Sequence, residues 1–118
     1  SEKRDILIKI LIKDKDKNSD ESYKLGDVFR DSTTNEVVGT LVEKDIKPAT
    51  ANINNLQGQI VKTTIPERVD MEITLKAQAL VNQNAFVVAG KEVKIGVEMR
   101  IKSKYVQVQG FITSVPLD

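Results

Sequence analysis

The chain has 118 residues, of which 40% are hydrophobic and 30% charged, with Lys+Arg 18 against Asp+Glu 17 for a net charge of +1. That length suits one domain whose folding buries roughly two-thirds of the unfolded surface, and the even charge balance argues against the broad basic face of a nucleic-acid binder. With no His, no Cys and no Trp, the chain can build no disulfide, no thiolate nucleophile and no Ser/His/Asp triad, and zinc is disfavoured.

The first run, Ile6 to Ile12, places four isoleucines at period two with Leu7, Lys9 and Leu11 on the opposite face. This predicts a strand covered on both sides, because β-branched side chains lose less freedom in an extended chain than in a helix. Asp14 to Ser22 is polar throughout and reads as a solvated loop. Its Asp14, Asp16, Asn18 and Asp20 fall at the first, third, fifth and seventh positions of an EF-hand loop. Ser19 stands where that loop needs Gly and Leu25 where it needs a bidentate Glu, so a weak Ca²⁺ site is the alternative to plain loop.

A hairpin follows, with Val28 and Phe29 going out, a turn at Ser32 to Asn35, and Val37 to Val42 returning. Asn35 suits the left-handed conformation of such a turn. Pro48 is expected to end the returning strand, since it has no N–H for the ladder. Ala49 to Glu67, punctuated by Asn52, Asn54, Asn55 and Gly58, reads as a long connection with one short strand at Gln59 to Val61. From Val69 to Val81, seven apolar residues alternate with polar ones, the pattern of a half-buried antiparallel strand. Ala85 to Val88 is a short strand ending in a turn at Ala89 to Lys91. A second hairpin runs from Val97 through a turn at Lys102 to Lys104 and back to Val115.

Two Lys-(Leu/Ile)-Gly triplets open these hairpins, at Lys24 to Gly26 and Lys94 to Gly96, and each strand pair closes on a glycine, Gly39 or Gly110. The expected fold is all-β: a small closed or partly open β-barrel of about six to seven mainly antiparallel strands. Its halves, about 4–47 and 68–115 within a single domain 1–118, either arose by duplication or are two glycine-opened hairpins alike by accident. Gly39 and Gly110 are expected at bulges or bends of the barrel.

No pair of acids is set apart by its surroundings and no glycine-rich phosphate loop is present, so neither an enzyme nor a cofactor is expected. Lys91, Lys94, Lys102 and Lys104 could form a basic rim or be ordinary polar turn residues. A barrel of this size is filled by its own side chains, so packing is the expected use of the apolar faces.

The chain resembles a bacterial family called domain of unknown function 4330. The likeness rests on Lys24-Leu25-Gly26-Asp27, Val37-Val38-Gly39-Thr40, Lys47-Pro48-Ala49, Pro66-Glu67-Arg68, and Gly90 to Gly96 leading to Tyr105 and Gly110. The resemblance implies a single-pass membrane protein of Gram-positive bacteria, with this domain on the outer face of the cytoplasmic membrane and a transmembrane helix upstream of Ser1. It implies no activity and no functional residues. A fainter likeness, through Gly26-Asp27 and Val38-Gly39, runs to the mammalian-cell-entry domains of lipid transport systems. The expected function is therefore non-enzymatic binding or scaffolding of a partner protein or envelope component, through the 49–66 connection or an open strand edge. The alternatives are a barrel that binds lipid or another hydrophobic ligand, and a hydrolase acting through carboxylates.

Overall fold

The computed structural model describes residues 2–118. Ile6, Ile8, Ile10 and Ile12 line the buried face of β1 (Glu2–Asp16), and all four are inaccessible to solvent. Met71, Ile73, Leu75, Ala77 and Ala79 do the same along β4 (Ile60–Val81), which runs antiparallel beside β1 from Glu2↔Val81 to Asp16↔Arg68. Period-two patterning thus places one apolar face of each strand on the same core.

The remaining strands are β2 (Val28–Asp31), β3 (Val37–Asn54), β5 (Phe86–Val88), β6 (Lys91–Val93), β7 (Glu98–Lys102) and β8 (Gln107–Ser114). They form one antiparallel sheet in the order β1-β8-β7-β2-β3-β4, and the β1–β4 pairing closes these six into a ring. Closure leaves no free edge where strands pair around the ring. Phe29, Leu41, Met99, Ile101 and Ile112 complete the interior, so the ring is filled by side chains. The expectation of an all-β, mainly antiparallel fold holds, with six of the strands joined in a ring. The strand count is eight because Lys91–Val93 also pairs, making a β5–β6 hairpin appended to β4. Its two-residue turn uses Ala89 at φ 52° and Gly90 at φ 72°, and a turn with two left-handed residues matches the twist of the flanking strands.

The two halves repeat the same hydrogen bonds. Gly26 N donates to Leu41 O and Gly96 N to Ile112 O, both at 2.8 Å; Leu41 N donates to Asp27 O and Ile112 N to Val97 O, both at 2.9 Å. Gly26 and Gly96 take φ 95° and 93°, a conformation that glycine adopts without steric cost. β1, β2 and β3 therefore correspond to β4, β7 and β8 about a pseudo-twofold axis. It passes through the β2–β7 pairing, where Asp31 faces Ile101. Gly39 and Gly110 are equivalent as well. They sit where β3 and β8 press against neighbouring backbone, at Lys76 O and Leu11 O respectively.

Two expectations are corrected. Pro48 does not end its strand: β3 passes through it, Pro48 opposing Val69, and the ladder loses register immediately afterwards. A proline is accommodated there because an irregular ladder has no regular hydrogen bond to lose. Nor is Ala49 to Glu67 a loop. Thr50 to Asn54 pairs with Ile60 to Thr64, continuing β3 and β4 as a two-stranded arm. It contributes to a longest dimension of 58 Å against 31 and 25 Å for the others. The polar 14–22 segment contains the end of β1 and a 3-10 turn, Ser19–Ser22. No helix among the described residues is long and apolar enough to cross a membrane.

One buried charge ties the hairpins together. Asp31, at the end of β2, accepts hydrogen bonds from Thr33 N and Thr34 N, both at 2.9 Å, and its Oδ2 lies 2.8 Å from Lys91 Nζ. The Lys91 contact and then the Thr34 and Thr33 amides hold its carboxyl down at about 2, although burial opposes them. A folded pKa below the unfolded value near 3.8 means stability that is complete above pH 4 and lost as pH falls towards 2. With Lys91 half-exposed, that contribution is about 1–2 kcal/mol. Denaturant titrations between pH 2 and 5 should show this loss in the native chain and a flatter profile in Asp31→Asn.

Candidate functional site

The arm, residues 50–64, has a physical character unlike the rest of the surface. Its fifteen residues carry a single charge, Lys62, in a chain that is 30% charged overall. One face pairs Ile53 with Val61 and Ala51 with Thr63; the other pairs Asn54 with Ile60 and Asn52 with Lys62. Ile53, Leu56 and Ile60 are exposed, and no arm residue belongs to the hydrophobic core. Both edges are open here: β2 pairs with β3 only from Val37 to Thr40, and β1 pairs with β4 only from Arg68 onward. A free two-stranded ribbon is only marginally stable in water, and bare edges without charged residues invite another strand.

The arm is nevertheless well formed. At its tip Asn55 N donates to Gln59 O at 2.8 Å, and Asn55 Oδ1 accepts from Gln57 N at 3.0 Å and Gln59 N at 2.9 Å. Gly58 takes φ 76°, as a short hairpin loop requires. These bonds hold Leu56 fully exposed at the apex.

The root is held by the segment that imitates a calcium loop. Asp14 Oδ1 pairs with Arg68 Nε at 2.8 Å, the Arg68 guanidinium also reaches Asp14 O, and Asp14 N donates to Asp70 Oδ1 at 2.9 Å. Lys17 pairs with Glu67 at 2.5 Å, and Lys17 N donates to Glu67 O at 2.9 Å. Glu67 has φ 66°, inside a four-residue bulge of β4, 65–68, that faces the single buried residue Ala49. Asp20 faces away from this group: its carbonyl accepts from Lys44 Nζ at 2.8 Å. Asp14, Asp16, Asn18 and Asp20 are thus not gathered around one point. Among the described residues no three acidic side chains converge as metal ligands would. An open cleft of about 280 Å³ lies beside the root, lined by Asp45, Lys47, Lys62, Asp70 and Glu72 among others.

Of the four lysines expected at a basic rim, Lys91 is paired with Asp31 and Lys94 with Glu92 at 3.5 Å. Lys102 and Lys104 flank the β7–β8 turn in a different setting, beside Arg30. The arm was missed in the sequence because its strands are short and polar. Its signal is Ile53 and Ile60-Val61 set either side of an Asn-Leu-Gln-Gly turn.

A family model matches residues 2–116, crossing the ring and the arm alike. The chain belongs to the family described as domain of unknown function (DUF4330). No curated protein and no solved structure gives a significant match. For this DUF4330 domain the arm is a surface whose two strand edges are left unpaired among the described residues.

Proposed function

We propose that this DUF4330 domain is a non-enzymatic binding module that holds a partner polypeptide by accepting its strand along the arm. Its setting would be the outer face of the cytoplasmic membrane, behind a transmembrane helix upstream of Ser1. The observation that carries the reading is a ribbon with a single charge, Lys62, two open edges and exposed Ile53, Leu56 and Ile60, fixed at its root by ion pairs. Strand addition supplies main-chain hydrogen bonds to the edge, and alternate side chains supply specificity. Anchoring the root lowers the ordering cost of binding.

The test is photo-crosslinking in cells from position 53 or 60, with the exposed position 37 on the ring as control, beside a chain in which Asn-Gly replaces residues 51–63. Thr50 and Thr64 face each other, so a two-residue turn joins them directly. The shortened chain should keep its thermal midpoint within a few degrees, because the arm adds nothing to the core. Adducts should form from positions 53 and 60 alone. If the shortened chain retains the same partner, the arm is not the docking surface and the reading fails.

A further inference from the structure

The pseudo-twofold makes one half of the ring a control for the other. In the second half Arg100 is neutralised by Glu98, two residues before it on the same strand, at 3.2 Å. Across the β2–β7 seam from Arg100 stands Ser32, whose N and Oγ both donate to Arg100 O. The equivalent positions in the first half are chemically inverted. Arg30 has Val28 in the place of Glu98, and Lys102 faces it directly across the seam in the place of Ser32. Like charges directly opposite in an antiparallel pair are destabilising; Arg30 Nη1 donates one hydrogen bond to Asn35 O at 3.1 Å, and among the described residues no carboxylate offsets the paired charges.

Two more cations join them. Lys104 lies in the same open cleft of about 400 Å³ as Arg30 and Lys102. Lys24 and Lys104 stand over the Tyr105 ring, 5.5 and 5.7 Å from its centroid. Among the described residues, none of Lys24, Arg30, Lys102 and Lys104 comes within 4.0 Å of a carboxylate. The one acid lining the cleft, Asp27, has its Oδ2 withdrawn from solvent. The charge presented to solvent is therefore positive, although the whole chain carries only +1.

We infer that this cleft is an anion-binding site whose ligand is a phosphoryl group, held by the Arg30 guanidinium with Lys102 and Lys104. A planar guanidinium matches the oxygens of a phosphoryl group, and ammonium groups add charge without demanding one geometry. A multivalent oxyanion would also remove the repulsion between Arg30 and Lys102. The cleft volume lies within the range of small-ligand sites. This site is independent of the arm and involves none of its residues.

The probes are inorganic tripolyphosphate, and vesicles of phosphatidylglycerol with phosphatidylcholine vesicles as control, titrated at low salt where exposed charges are least screened. Tripolyphosphate should bind the native domain. Lys102→Ser and Val28→Glu, which copy the neutralised half, should each weaken it at least about tenfold. Arg100→Gln should leave binding unchanged. Lys102→Ser should also hold or raise the thermal midpoint, the opposite of what loss of a structural contact would do. Phosphatidylglycerol vesicles binding with the same variant pattern would place the phosphoryl group on a lipid; tripolyphosphate alone would place it on a soluble or polymeric ligand. Failure of both probes to bind at millimolar concentration, or equal weakening by Arg100→Gln and Lys102→Ser, would overturn the proposal.

Discussion

Replacing Gly110 by alanine should destabilise the domain by about 3 kcal/mol, at the upper end of overpacking costs. A Cβ there would lie 2.6 Å from both Ile10 Cγ2 and the backbone oxygen of Leu11. The isoleucine can rotate, but the carbonyl can retreat only by moving β1 away from β8, which opens the ring at a point where every inward residue of β1 is buried. Gly39→Ala should cost a similar amount, because its Cβ would meet Lys76 O at 2.6 Å. Gly90→Ala serves as the contrast. Its nearest neighbour is 3.7 Å away, so only the left-handed φ of 72° is penalised, by about 1 kcal/mol. Urea titrations followed by circular dichroism should rank Gly110 and Gly39 well above Gly90. With total stability of about 5–15 kcal/mol expected for such a domain, the double variant Gly39→Ala/Gly110→Ala should be largely unfolded. Equal midpoints for the Gly110 and Gly90 variants would show that the strand contacts are looser than described.

Phe29→Ala should cost about 4 kcal/mol, the usual penalty for removing a fully buried phenyl ring. Phe29 stacks on Tyr23 with ring centroids 6.3 Å apart and an interplanar angle of 16°, and both rings are buried. The same change therefore has a spectroscopic readout. Burial pushes the Tyr23 hydroxyl from 10.0 up to about 12, because a phenolate would have to form away from water. The unfolded chain ionises near pH 10 and the folded one near 12, so stability is intact below pH 10 and falls as pH rises through that interval. In a Tyr105→Phe background Tyr23 is the one remaining tyrosine, and its absorbance titration should show the late midpoint directly. Phe29→Leu, which keeps most of the volume at a cost of about 1 kcal/mol, gives a folded protein in which the Tyr23 midpoint should move back towards 10. A midpoint unchanged by Phe29→Leu would mean that other neighbours keep Tyr23 dry.

The ring was largely legible because its strands obey one rule. Val69 to Val81 keeps an apolar residue at every second position, as Ile6 to Ile12 keeps an isoleucine, and a period of two puts each of these sets on one face of its strand. The paired Lys-(Leu/Ile)-Gly triplets likewise pointed to the two hairpins whose hydrogen bonds repeat. The arm was not legible for the complementary reason. Its residues bury almost nothing, so no hydrophobic alternation marks them, and Pro48 and Pro66 suggested breaks where the structure has a bulge. The basic cleft was half legible. Lys102 and Lys104 stand together at a turn in the sequence, but Arg30 is distant in sequence and joins them only through the β2–β7 register.

Composition and periodicity, by themselves, determined that this is an antiparallel β domain with a dry aliphatic interior and without histidine or cysteine chemistry. Those properties follow from side-chain type and from the two-residue repeat of an extended chain, both local. Tertiary structure alone decided which carboxylates are consumed by ion pairs, that residues 50–64 stand out as an open ribbon, and that Arg30 and Lys102 face each other. Each of these depends on which strands become neighbours when the ring closes, and strand order is a long-range choice that alternation does not encode.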